Sequence, residues 1–302
     1  MTLAVARWMK NLTNVLQKNY YDVYTDYLVR YVEAFRERGV TVDALTMQNE
    51  PLNNGDQHFT MVMGAETAAL LTNATRIKLD KAGLASTHIW AFDHNTNVPE
   101  YPQFVLDNTA TDAVAAVAWH CYAPGGANWT ALSAFHAKNP ECPQFMTECW
   151  LHLATGEGFF DLPNFVIGPM QNYASGAIAW ILGGTVDFDM GFPGRDSCGE
   201  CSGLIQVNRS AGTYVKTQDY YTLGQFSKFV AKEALVLETN GNFDYPDGTG
   251  VQSLAFRNNG QLVVVIVNKI TSDLQVNLAL ESGGGWNARV EGSSVTTFVF
   301  SS

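Results

Sequence analysis

A chain of 302 residues, 46% hydrophobic and 16% charged, has the composition of a globular protein and not of a disordered one. The formal net charge is −11 and no Lys/Arg cluster interrupts the acidity, which excludes the basic face that nucleic acid or an anionic membrane requires; a neutral partner such as a sugar fits better. No run of 18 apolar residues is present, so no transmembrane segment is expected.

Residues 3–8 read as a short strand, and residues 1–10 lack the apolar stretch and small-residue cleavage site of a signal peptide. Four Asn-x-Ser/Thr sequons, at Asn11, Asn73, Asn128 and Asn208, nevertheless point to a secreted chain, since such sites are used only in a secretory compartment. The clearest helix covers 21–38, where Val23, Tyr27, Tyr31 and Phe35 recur every four residues and Gly39 sits at the C-cap. Residues 42–50 form a buried-strand pattern that Pro51 stops. A helix over 64–82, a strand over 88–92, a short helix over 101–107, a strand over 113–120 and a helix over 130–138 follow. Then come a strand over 144–148, a helix over 162–174, a strand over 176–180, a long loop, and a helix over 220–230. Strand–helix alternation of this kind predicts parallel β/α units. Five such strands and the one at 3–8 fall short of the eight that a closed (β/α)8 TIM-type barrel needs.

The pattern changes near residue 235. VQSLAF, QLVVVIVN, LQVNLAL and SVTTFVF, between 251 and 300, are strand-like runs separated by turn signals such as Asn258-Asn259-Gly260 and Gly283-Gly284-Gly285. The predicted organisation is a partial (β/α)8 domain over 1–234 and an antiparallel β-sandwich over 235–302.

Two glutamates end predicted barrel strands: Glu50 after VDALTMQN and Glu148 after PQFMT. Carboxylates are costly to bury unless paired or used, and the C-terminal strand ends are where barrel active sites form. At about 5–5.5 Å apart, two carboxylates give a nucleophile and an acid/base flanking a glycosidic bond. Two rim glutamates in ordinary salt bridges are the competing explanation. Cys198 and Cys201 form a C-x-x-C in a glycine-rich stretch; a zinc site would need a second ligand pair, and a redox pair would open a helix, so a local disulfide is preferred.

TMQNEP at 46–51, FDHN at 92–95, AWHCY at 118–122, FMTECW at 145–150, SGAIAW at 175–180 and YYTLGQFSKF at 220–229 form an ordered set that resembles glycoside hydrolase family 30, which includes glucosylceramidases and fungal endo-β-1,6-glucanases. The resemblance implies a retaining β-glycosidase, with Glu50 as acid/base and Glu148 as nucleophile. It implies that Asn49 bonds the sugar 2-OH, that His120 and Tyr122 line the site, and that Trp180 forms an apolar wall. Trp8, Asp93 and His94 match further substrate-binding positions. On residue type alone, His120 could be a satisfied core histidine, Trp180 barrel core, and Asp93-His94-Asn95 the start of a turn. Trp129 and Trp150 are candidate subsite aromatics. No metal or organic cofactor is required, the partner is a β-glucan or glucosyl lipid, and a monomer is expected. Cys121 follows His120 and Cys149 follows Glu148, so the two form either a disulfide or a pair of buried thiols. Relative to the family, the first strands of the barrel are missing, and an open barrel is expected.

Overall fold

The computed structural model describes residues 7–55, 60–124, 126–149, 161–186, 203–244, 250–258 and 260–301. The Cys198–Cys201 pair and Trp150 lie outside the described residues. The strand expected over 3–8 is, in its described part, a 3-10 turn at Arg7–Met9. Two compact units are present, Met1–Cys149 with Asn172–Ile178, and Trp150–Gln171 with Ala179–Ser302.

In chain order the β/α elements are α1 (Tyr21–Arg36), β1 (Ala44–Thr46), α2 (Ala65–Lys81), β2 (His88–Asn95), α3 (Glu100–Asp107), β3 (Ala116–His120), α4 (Thr130–Lys138), β4 (Gln144–Glu148), α5 (Asp161–Gln171) and β5 (Ala174–Ala177). The five strands pair in parallel in the order β1-β2-β3-β4-β5. Among the described residues this sheet does not close, as the count of strands anticipated. Its centre is dry: every residue of β3 is buried, as expected of a parallel strand covered on both sides. Trp119 meets Phe92 and Phe135 edge-on and donates from its indole to Gln144 Oε1 (3.1 Å), so the one polar atom of a fully buried ring is satisfied.

The helix over 21–38 forms, but its predicted apolar face does not point inward. Val23 and Tyr27 are exposed, while Tyr24, Leu28 and Val32 one position on are buried with Thr25 and Val29. The helix carries two apolar stripes, and the one that contains Tyr24 wins because its hydroxyl also reaches the carbonyl of Met47 at the end of β1. Both α1 and α2 end in the same motif. Val40 N–H reaches Phe35 O and Leu84 N–H reaches Leu79 O, with Gly39 and Gly83 at φ +75° and +66°. Glycine adopts that left-handed backbone without the Cβ penalty, which is why both helices stop there.

The second unit holds α5 and a small sheet not anticipated from the sequence, β6 (Gly183–Thr185), β7 (Ile205–Asn208) and β8 (Thr213–Lys216). Strands of three or four residues leave no readable period. Next come α6 (Gln218–Ser227), β9 (Leu235–Leu237), β10 (Phe243–Asp244), β11 (Gly250–Asn258), β12 (Gln261–Asn268), β13 (Leu274–Ala279), β14 (Gly285–Val290) and β15 (Ser294–Ser301). One antiparallel sheet runs β10-β11-β12-β15 with β9 also on β11, and β13–β14 make a second. Between them pack Val251, Ala255, Val264, Ile266 and Val290, with Leu274, Val276, Leu278, Phe298 and Phe300. This is the expected sandwich. The opposite face of β12, Val263, Val265 and Val267, is equally buried. Helix α6 lies against β15, where Thr297 Oγ1 donates to the backbone of Gln225 (2.7 Å). Residues before 235 therefore pack with the sandwich.

Candidate active site

The parallel ladder sets the site's register. Asn95 pairs with His120, and His120 with Glu148, so the ends of β2, β3 and β4 lie side by side. Glu50 reaches the same place from the loop after β1, with its N–H donating to the carbonyl of Asp93 (2.9 Å). The backbone is irregular there. A bulge interrupts the pairing of β2 with β3 between Phe92 and His94, and Phe92, Asp93 and Glu50 all have left-handed φ, at +79°, +71° and +48°. Left-handed backbone costs a non-glycine residue roughly 1–2 kcal/mol, and such costs concentrate at functional sites.

The side chains form one connected cluster. His120, fully buried, directs Nε2 to Asp93 Oδ1 at 3.0 Å and Nδ1 toward Glu50 Oε1 at 3.5 Å; the first is a hydrogen bond and the second an ion-pair contact without hydrogen-bond geometry. Asn53 Nδ2 donates to Glu50 Oε2 (2.6 Å). The Tyr122 hydroxyl donates to Glu148 Oε1 (3.2 Å), and the Tyr122 backbone is held by Asn95 Oδ1 (2.9 Å). Beneath them Asp93 is 4% exposed and accepts from Thr46 Oγ1 and Thr147 Oγ1, both at 2.7 Å. His94 Nδ1 accepts the N–H of Leu52 (3.3 Å). Cys121 and Cys149 form a disulfide that ties the residue after His120 to the residue after Glu148. Cys142 is the remaining thiol among the described cysteines.

Of the sequence-predicted residues, Glu50, Glu148, His120, Tyr122, Asp93 and His94 come together. Asp93 lies under the others rather than facing outward, with both carboxylate oxygens engaged, so its reach toward a ligand is through His120. Asn49 is half-buried beside Glu50, and its carbonyl accepts from Gln48 Nε2 (3.0 Å). Trp8 is 57% exposed and packs edge-on against Tyr20. Trp129 caps the start of α4, and Trp180 belongs to the second unit. Thr46, Asn53 and Thr147 are not singled out by the sequence, and Asn95, which reads there as a turn residue, holds the Tyr122 backbone. The available signal is polarity out of place: Thr46 and Thr147 interrupt apolar runs, and in the structure Thr46 ends β1 and Thr147 is one position from the end of β4.

The electrostatics follow from burial and neighbours. Burial pushes the Glu148 carboxyl up, and the negative charges of Glu50 and Asp93 add to it against the opposing pull of His120. Burial also opposes ionisation of Glu50, but the close contact with His120, the hydrogen bond from Asn53 and the charge of His94 outweigh it and hold Glu50 below the ordinary range. Burial of His120 is likewise outweighed, by Asp93 and Glu50, and its imidazolium persists up to about 9. Asp93 is held well below the carboxylate range by His120 and Thr46 despite complete burial. Glu50, His120 and Glu148 place three ligand-type atoms within 4.8 Å of one another. A cationic imidazole with both nitrogens turned to carboxylates has no lone pair for a metal, so the set fits a proton-transfer site better than a cation site.

Glu148 gives a sign-defined test. Its pKa is raised on folding, so the stability it contributes is complete below the ordinary carboxylate range and is lost as pH rises through the raised value. Glu148→Gln has no such loss. Its Tm is expected to exceed that of the parent at pH 7, with the gap closing toward pH 4; scanning calorimetry across that range decides, and a gap independent of pH would show that Glu148 is not strained by its surroundings.

Paired carboxylates at the C-terminal ends of a parallel β/α sheet, in a chain that continues into a β-sandwich, are the layout of barrel-type glycoside hydrolases. The chain belongs to glycosyl hydrolase family 30: residues 7–230 match the family's TIM-barrel domain and residues 237–298 its beta sandwich domain. It is 41% identical to an endo-1,6-beta-D-glucanase of Neurospora crassa, over 97% of this chain and 62% of that protein. It is 42% identical to the endo-1,6-beta-D-glucanase BGN16.3 of Trichoderma harzianum, over 93% of this chain and 56% of that one. Among solved structures, the endo-beta1,6-glucanase BT3312 superposes with a TM-score of 0.82 at 27% identity, covering 95% of this chain and 65% of its own. The chain thus spans about 60% of the length of the curated relatives it matches.

Proposed function

We propose that this chain carries the catalytic centre of a retaining glycoside hydrolase that cleaves β-1,6-linked glucose, with 1–234 as the partial catalytic domain and 235–302 as the sandwich. The observation that carries the reading is the carboxylate pair: an oxygen of Glu50 and one of Glu148 lie within 4.8 Å. That spacing is on the retaining side, because inverting pairs leave about 6.5–9.5 Å for a water. Glu148 attacks the anomeric carbon as the glycosidic bond breaks, and Glu50 gives its proton to the departing oxygen. Water then gives a proton back to Glu50 and its oxygen to the sugar, releasing Glu148. Burial and neighbouring anions raise the Glu148 carboxyl while His120 and Asn53 lower that of Glu50, an order opposite to the one the first step uses. A sugar whose anomeric carbon gains positive charge beside Glu148 favours the ionised form there and moves the proton to Glu50.

The named relatives favour β-1,6-glucan over glucosylceramide. Release of reducing ends from β-1,6-glucan, and none from glucosylceramide, is the expected result; binding of glucan without turnover by the folded chain would make it a carbohydrate-binding remnant instead. Secretion belongs to the same reading. Asn11 and Asn128 are exposed sequons, whereas the amide of Asn73 is committed to Asn108 and Ala110. No helix among the described residues is long and apolar enough to cross a membrane. Loss of mass on enzymatic removal of N-glycans from the secreted protein tests it.

A further inference from the structure

We propose that Asp93 is a positioning residue: it does not meet the sugar, but holds His120 against Glu50 and thereby governs Glu50 as proton donor. The inference rests on the reading of Glu50 as acid/base. Asp93 touches every element that carries the site. Its carboxylate accepts from Thr46 on β1, His120 on β3 and Thr147 on β4, while its own backbone carbonyl, on β2, accepts the N–H of Glu50. With Nε2 of His120 committed to Asp93, the ring has one orientation left, and that orientation turns Nδ1 to Glu50 Oε1. A carboxylate that fixes an imidazole through one nitrogen dictates what the other nitrogen does. The left-handed backbone at Phe92 and Asp93 is what places this carboxylate under the site.

The groups that face His120 are Asp93 and His94 from β2, Glu50 from the loop after β1, Glu148 from β4 and Tyr122 from the loop after β3. Of these, Asp93 is the buried anion in direct hydrogen-bond contact. Without its charge His120 loses the counterion that keeps it protonated at neutral pH; losing that cation by itself favours the protonated form of Glu50, so the expected loss of acid catalysis comes from lost positioning and not from lost acidity. Glu50 then faces a neutral ring in an unspecified orientation.

The test uses the 302-residue chain and its Asp93→Asn variant. The imidazole of His120, followed by NMR in histidine-labelled protein, is expected to titrate at about 9 in the parent and to fall toward the ordinary histidine value near 6.5 in the variant. Turnover is compared on aryl β-1,6-gluco-oligosaccharides whose leaving phenols differ in acidity. A good leaving group needs no proton, so the variant should lose at least tenfold more on the poor leaving group than on the good one. Equal losses on both, or an unmoved His120 titration in folded variant, would overturn the proposal. If Asp93→Asn does not fold, His120→Gln in the parent background should show the same leaving-group split, and a uniform loss there counts against it. The titration needs no turnover. A parent chain that cleaves nothing would therefore sink the glycosidase reading while leaving the Asp93–His120 coupling separately measurable.

Discussion

The Glu148→Ala chain is expected to lose β-1,6-glucan hydrolysis by on the order of 10⁴- to 10⁶-fold, the scale on which removal of a covalent nucleophile is felt. Azide should restore turnover of an activated aryl glycoside, with an α-glycosyl azide as product. The small anion enters the space left by the Glu148 side chain and attacks the anomeric carbon directly, inverting it. Glu50→Ala should behave differently. Loss of a general acid costs about 10²–10⁴-fold on a poor leaving group and little on an acidic phenol. Azide then intercepts the glycosyl-enzyme and yields the β-azide, configuration retained. The two products are told apart by the anomeric proton coupling. This experiment matters because the surroundings raise the pKa of Glu148 and lower that of Glu50, the opposite order to the one the assigned roles use. Were the roles exchanged, Glu50→Ala would give the α-azide and Glu148→Ala the β-azide, and the assignment argued above would fall.

Replacing both Cys121 and Cys149 by serine is expected to destabilise the first unit by about 3.5 kcal/mol, the chain-entropy value for a closed loop of this size. The two residues are 28 apart in sequence. Denaturant unfolding with and without a thiol reductant measures it: reductant should shift the parent midpoint to that of the double variant and leave the variant unmoved. Activity should fall as well, because the bond joins the residues that immediately follow His120 and Glu148. If the midpoint of the parent does not respond to reduction, the β3–β4 ladder alone fixes that register.

The carboxylate pair and the aromatic-histidine strand ends were legible because each sits at the boundary between an apolar run and a breaker, and because ordered motifs surround them. The sequence does not decide the disulfide, since two adjacent-strand cysteines are equally consistent with thiols; the parallel register of β3 and β4 brings Cys121 to Cys149. Asp93 was legible as a polar residue at a strand end but not as a buried hub. Its role depends on a bulge and on left-handed backbone at Phe92 and Asp93; aspartate visits that region, but no propensity announces a phenylalanine there. The buried face of α1 is not legible in the sequence for a related reason. Two apolar stripes compete on that helix, and a tertiary hydrogen bond from Tyr24 to Met47 decides between them. The short sheet β6–β7–β8 left no trace, being built from strands too brief to show alternation.

The irregular stretch at Phe92–Asp93 also limits how this site can be copied. Side chains along a regular strand alternate faces, so one added or removed residue turns everything beyond it over. A protein engineer who grafted Glu50, His120 and Glu148 onto another barrel with an unbroken second strand would find the supporting carboxylate facing the helices instead of the histidine. The portable unit is therefore larger than the reacting groups: it includes a local fault in the strand, whose conformational cost the recipient scaffold must be stable enough to absorb.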